Sequence, residues 1–250
     1  MLFDTLDLGT VDADSAREFL LQATRLASSG DLEDLGQRLR RKSDAFRRTL
    51  GRDAVRATDA GELQRLMGTV FGLRRAVGPL LARLPPEVLR EAIADLLYGS
   101  APAPQRLQVF VERLPGLDET AAVSLASELL HYTYPEQCWL WTPWMWRADT
   151  QAGALPLVLQ NGQALGAGPL AERYEEVGRA VAAVDAVGAR EGFTRLGAGL
   201  FGTHAFLACV YAVYMYTVFR MKLSQEFNRI LPELPELTRR ILGVQRAEFR

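Results

Sequence analysis

The sequence predicts an all-α, multi-helix globular protein with a central apolar helix and at most one short β-hairpin. Apolar residues recur at helical spacing through most of the chain, and capping chemistry punctuates that rhythm. The strict alternation of a half-buried strand is nearly absent. A chain of 250 residues, 48% of them hydrophobic, can bury a sizeable core. It reads as a single α-helical domain over residues 1–250, with an N-terminal helical subdomain over residues 1–83 as the one internal division expected.

The first helix is headed by the capping-box pair Ser15 and Glu18 and runs through Phe19, Leu20, Leu21 and Leu26 to about Ser28. Ser29 and Gly30 end it. A second helix follows from about Asp31 to Leu50, and a third opens at Asp59 with Glu62 three residues on. Pro85 and Pro86 start a helix to about Tyr98, because proline at a first helical position gives up an N–H that has no partner there anyway. A loop from Gly99 to Pro104 leads to a helix ending at Leu114. Leu114, Pro115, Gly116 and Leu117 then make a tight turn, and Asp118 caps an apolar helix reaching about Tyr132.

Beyond Pro135 the texture changes. Trp139 and Trp141 alternate with Leu140 in an extended approach, and Thr142 and Pro143 are the expected cap and first residue of a new helix carrying Trp144 and Trp146. Ala154 to Leu159, then Asn161 and Gly162, then Ala164 and Leu165, are the expected short hairpin, since Asn-Gly favours the two-residue turn. Pro169 opens a helix to about Val187. Gly197, Gly199 and Gly202 precede the longest apolar run.

That run, Gly199 to Phe219, has no charged residue in 21 positions and is long enough to span a bilayer. It contains Thr203, His204, three Tyr and Thr217, and the other helices are plainly amphipathic, so it is expected as a buried helix at the centre of an α-helical domain. No membrane partner is expected on that reading; a single span over residues 199–219 is the alternative.

The formal charge is only -1, which provides no global attraction to nucleic acid or to an acidic membrane. Its distribution is uneven. Met1 to Leu35 holds eight acids and two bases, whereas Gly36 to Arg56 holds eight bases and two acids. The basic stretch places Arg38, Arg40, Arg41, Lys42, Arg47 and Arg48 on one helix, either as a solvated face that balances the acidic N-terminus or as a stripe that meets phosphates. Phe46 is the only aromatic residue among them.

Two cysteines, Cys138 and Cys209, make no disulfide framework, and the acidic opening MLFDTLDLGTVDAD lacks the basic head of a secretory signal. A cytoplasmic location is expected. Together with His131 and His204 these cysteines are the only His and Cys in the chain, but their spacing matches no zinc signature. His204 and Cys209 would point about 140° apart on a helix. No metal and no cofactor is therefore expected. Nor is there a nucleophile elbow or a Walker-type phosphate loop.

All four Trp, at 139, 141, 144 and 146, fall within eight residues. They either seal helix contacts or line a groove where exposed rings stack on a base or grip a partner protein.

The stretch from Leu114 to Trp146 resembles the helix-hairpin-helix module of the DNA glycosylase superfamily, carried by Leu114, Pro115, Gly116, Leu117 and Ala122. The resemblance implies a turn around Gly116 whose backbone N–H groups, at a helix N-terminus, hold a DNA phosphate. Two departures accompany it. Asp118 stands where the motif has its second glycine, and Thr142 stands at the boundary where the family carries its catalytic Asp. Thr120 lies near the position of the lysine nucleophile of bifunctional members. These departures imply a degenerate, non-catalytic module, and an enzyme is not the expected reading. The leading expectation is a nucleic-acid-associated protein that contacts DNA through Arg38, Arg40, Arg41, Lys42, Arg47, Arg48 and Gly116. The competing expectation is a protein-interaction or assembly factor that grips a protein partner with Trp139, Trp141, Trp144 and Trp146.

Overall fold

A computed structural model describes residues 7–160, 165–166, 168–191, 200–222 and 232–245. The fold is all-α: ten α-helices and no sheet among the described residues. The helices are α1 (Ala13–Leu26), α2 (Ser29–Thr49), α3 (Ala60–Met67), α4 (Val77–Arg83), α5 (Pro86–Tyr98), α6 (Ala103–Glu112), α7 (Glu119–Thr133), α8 (Leu170–Glu191), α9 (Leu200–Lys222) and α10 (Leu234–Ile241).

Local chemistry sets most helix starts. Asp59 accepts the N–H groups of Gly61 and Glu62 to cap α3, and Asp118 accepts that of Ala121 to cap α7. Each such cap stabilises by about 1 kcal/mol. Pro86 opens α5 as expected. The first helix begins earlier than its Ser15–Glu18 pair suggests, because Asp12 is the cap. Its carboxylate accepts from the N–H groups of Asp14 and Ser15 and from the Ser15 hydroxyl. Ser15 therefore supports the cap from inside the helix.

The chain divides into two compact units, each built from several segments. The division passes through α2 between Leu39 and Arg40.

Of the described residues, the first unit comprises 7–39, 144–160, 180–191, 200–222 and 232–245. In it α1, α9 and α10 pack on one another. From Gly202 to Val210 every residue of α9 is buried, so the helix is wrapped by protein on all sides there. Phe201–Val218 is long and apolar enough to cross a membrane by length and composition, with mean hydropathy 1.3, and 67% of it is buried within the fold. Arg239 of α10 bonds Asp31 and Asp34 of α2 at 3.2 and 3.0 Å, and Arg38 bonds Asp34 at 2.7 Å.

Two expectations for this unit are corrected. Pro143, Trp144 and Met145 form a turn and no helix. The chain folds back instead, with the N–H groups of Ala154 and Leu155 donating to the carbonyls of Trp144 and Met145 and a single bridge between Arg147 and Ala152. On a helix Trp144 and Trp146 would point about 200° apart. The fold-back instead buries both, each 1% exposed. Ala154 to Leu159 is no hairpin arm either. It contains a 3-10 turn over Leu155–Leu157, and Leu159 makes one bridge to Val11. The expected Asn161–Gly162 turn lies outside the described residues, as do Gly197 and Gly199.

Of the described residues, the second unit comprises 40–143, 165–166 and 168–179. Here α5, α6 and α7 pack mutually, α3 packs on α4, and the second half of α2 lies against the end of α7. The α6–turn–α7 arrangement has Gly116 in the left-handed region at φ 81°, where a side chain would be strained.

Candidate nucleic-acid interface

The half of α2 that belongs to the second unit has two faces. Lys42, Ser43, Ala45 and Phe46 are buried, while Arg40, Arg41, Asp44, Arg47 and Arg48 are exposed. The exposed set recurs at intervals of three and four, as one side of a helix must.

The buried face is tied to α7 by polar contacts. The Ser43 hydroxyl donates to the Tyr132 carbonyl at 2.8 Å, and Arg47 Nε donates to the Thr133 carbonyl at 3.1 Å. Both carbonyls belong to the last turn of α7, where no intrahelical donor exists, and a cation there also suits the negative end of the helix dipole. Phe46 packs on Tyr132 with ring centroids 5.2 Å apart.

Lys42 is the first correction to the expected DNA-contacting set. It is fully buried, and its ammonium lies 2.6 Å from Glu128 Oε2, 3.4 Å from the Thr69 carbonyl and 4.2 Å from the centre of the Tyr132 ring. Glu128 Oε1 also accepts the Phe71 N–H at 3.1 Å. Burial pushes Lys42 down and Glu128 up from their ordinary values, and the contact between the two charges opposes both shifts. An ammonium held in this way meets no phosphate. Its sequence signal is legible afterwards: Lys42 sits on the apolar stripe with Leu39 and Phe46, and Glu128 interrupts the apolar face of α7.

Arg38 is also engaged elsewhere, through its ion pair with Asp34 and a bond to the Val244 carbonyl in the first unit. The remaining set is Arg40, Arg41, Arg47 and Arg48. Among the described residues Arg40, Arg41 and Arg48 engage no carboxylate, in contrast to Arg56 with Glu91, Arg113 with Asp95 and Arg173 with Glu119. Asp44 lies within the Arg face and forms no ion pair with it among the described residues.

At the α6–α7 turn the expected phosphate donors are modified in two ways. Asp118 Oδ1 accepts the Ala121 N–H at 2.8 Å, so the cap occupies a donor that a phosphate would use. Arg83 lies over Gly116 so closely that a Cβ added there would stand 2.1 Å from its Nη1. The glycine is required both by its φ and by this approach. Thr142 is buried, 1% exposed, which removes it from any surface chemistry.

The Trp set is the second correction. All four rings are buried, at 6%, 5%, 1% and 1% exposure for Trp139, Trp141, Trp144 and Trp146, which leaves no exposed ring to stack on a base or grip a partner. In the second unit Trp139 stacks on Tyr174 at 4.7 Å, donates from Nε1 to the Tyr174 carbonyl at 2.9 Å, and accepts the Tyr174 hydroxyl at its own carbonyl at 2.9 Å. Tyr174 carries no sequence signal that would pair it with a residue 35 positions away. Ser127 fixes the same segment by donating to the Trp141 carbonyl at 2.9 Å. In the first unit Trp146 Nε1 donates to Gln151 at 3.4 Å. Indole rings are large and carry one donor, and for Trp139 and Trp146 that donor finds its partner within the same unit.

The His and Cys residues play interior parts. His131 Nδ1 lies 2.8 Å from the Cys138 carbonyl, which can only accept, so the ring proton sits on Nδ1. Burial, with Lys42 nearby, holds His131 down at about 4. Burial pushes the Cys138 thiol up to about 11 and that of Cys209 up to about 12. Among the described residues no three His, Cys, Asp or Glu converge as metal ligands. In the first unit a groove of about 390 Å3 opens between α1 and α9, lined by Glu18, Phe19, Leu26, Val213 and Tyr216 among others. The chain matches no known protein-family model, no curated protein and no solved structure.

Proposed function

We propose that the protein is nucleic-acid-associated and non-catalytic, and that it meets phosphate through Arg40, Arg41, Arg47 and Arg48 on α2. The observation that carries this reading is the exposed Arg face itself: three of its guanidinium groups are uncommitted to any described carboxylate, while the buried face of the same helix is pinned to α7. A rigid helix presenting planar, permanently charged forks suits phosphate oxygens. Gly116 contributes less than a helix-hairpin-helix turn would, because the Asp118 cap and Arg83 occupy its surroundings.

The test is binding of a fluorescent DNA at two salt concentrations by wild type and by the triple variant Arg40→Ala, Arg41→Ala, Arg48→Ala. Arg47 is left intact because it also holds the end of α7. The variant should bind more weakly for all sequences alike. Its salt dependence should be flatter, by about one unit of slope for each phosphate that is no longer neutralised. If wild type fails to bind at low salt, or the variant binds equally well, the reading fails.

A second reading, a protein-interaction or assembly factor, loses its Trp surface because the rings are buried. What favours it is a set of exposed apolar side chains in the first unit, Leu21 at 58%, Leu26 at 43% and Tyr214 at 37%. Binding of a protein there would be little affected by salt, which separates the two readings.

A further inference from the structure

We infer that the preferred ligand of the α2 face is duplex DNA, with the helix laid across a groove so that its two arginine couplets reach phosphates on opposite sides. This inference rests on the proposal that the arginine face is the binding site. It names the class of nucleic acid which that site takes.

Arg40 with Arg41, and Arg47 with Arg48, are couplets seven residues apart, which separates them by about 10 Å along the helix at 1.5 Å per residue. Asp44 lies midway between them on the same exposed side. The face is therefore positive, negative, positive along the axis, with no base in its middle turn. A strand that tracks the helix carries a phosphate at every nucleotide and brings one opposite each turn, so one phosphate would fall against the Asp44 carboxylate. Two phosphate rows with a gap between them avoid that repulsion. The major groove of B-form DNA is about 12 Å wide, close to the couplet spacing before the reach of the side chains is added. A carboxylate over the groove floor faces base edges, and cytosine N4 can donate to it there.

A second observation favours the duplex independently. Proteins that hold single strands stack bases on exposed aromatic rings. The exposed side of α2 in this unit carries none: Phe46 is fully buried against Tyr132, and every exposed position from Arg40 to Arg48 is Arg or Asp. Duplex RNA fits less well, because the major groove of A-form helices is deep and narrow and closed to side chains.

The experiment titrates the full chain, as wild type and as Asp44→Asn, against a 20-base-pair DNA duplex, one of its single strands and an RNA duplex of the same sequence. Salt is set at 50 and 200 mM. The DNA duplex should bind at least about ten-fold more tightly than either alternative at the lower salt, with a slope that reports several neutralised phosphates. Asp44→Asn should change duplex affinity by less than about three-fold while raising single-strand affinity more, since only a tracking strand places phosphate over residue 44. Equal or tighter binding of the single strand or the RNA duplex, or an approximately ten-fold gain in duplex affinity on Asp44→Asn, overturns the groove-spanning inference and leaves the arginine site standing. Binding of none of the three at 50 mM salt removes the arginine site itself.

Discussion

Replacing Lys42 by Met, which keeps the unbranched apolar stem but removes the charge, isolates Glu128 in the interior of the second unit. The carboxylate is 2% exposed and would keep only the Phe71 N–H at 3.1 Å. The group escapes by taking up a proton. Protonating a carboxyl of ordinary pKa at pH 7 costs roughly 3.5 kcal/mol, which bounds the charge part of the penalty. Removing the ammonium from the Thr69 carbonyl and the Tyr132 ring adds about 1 kcal/mol. Lys42→Met should therefore destabilise by about 3–5 kcal/mol, the range for breaking a buried pair from one side. The double variant Lys42→Met, Glu128→Leu removes both charges at similar volume, and leaves the Phe71 N–H without its acceptor and the Thr69 carbonyl without the ammonium. It should lie within about 2 kcal/mol of wild type. Urea unfolding of wild type, both single variants and the double variant at pH 7 provides the cycle, with unchanged m-values as the check that the same unit is being unfolded. There is also a sign in pH. Glu128 has its pKa raised in the folded state, so its neutral form contributes stability below the ordinary carboxyl range that is lost as pH rises. The Lys42→Met penalty should accordingly shrink at pH 5. If Lys42→Met costs less than about 1 kcal/mol, or the double variant is as unstable as the sum of the singles, the pair is not the interior element described.

His131 is held at about 4 when folded against an ordinary 6.5, a depressed folded pKa, so its contribution to stability is complete above 6.5 and is lost as pH falls toward 4. The loss amounts to roughly 3 kcal/mol. His131→Gln should remove that portion of the pH dependence between pH 7.5 and 4.5, and an unchanged slope of urea midpoints against pH would contradict the neutral, buried assignment. Gly178 of α8 has the Trp139 ring 2.1 Å from where a Cβ would stand. Because that ring is fixed by its stack and bond with Tyr174, Gly178→Ala should lower stability by about 1–3 kcal/mol despite alanine's better helix propensity. Thermal unfolding together with near-ultraviolet circular dichroism of the indoles checks this, and a variant as stable as wild type would mean the ring has room to move.

Helices whose ends are made by neighbours in the chain were legible from the residues alone. Asp59, Pro86 and Asp118 each satisfy or dispense with N–H groups within a few residues, so their caps can be read without knowing what packs against them. The apolar α9 was readable too, because a charge-free run of this length admits few environments. Packing, by contrast, sets the fate of polar and aromatic side chains whose partners are remote in sequence. Lys42 looks like one more member of a basic stripe until Glu128, 86 residues away, meets it inside the second unit. Of the expected DNA-contacting residues, Arg38 is diverted to Asp34 and Val244, Arg47 is shared with the end of α7, and Arg40, Arg41 and Arg48 stay on the surface. The four Trp could stack on a ligand or seal an interior with equal local logic. They are buried by Tyr174 and Gly178 in one unit and by the fold-back through Gln151 to Leu155 in the other. One physical reason covers these cases: capping is a local hydrogen bond, whereas burying a charge or an indole is favourable only when a distant segment supplies its partner.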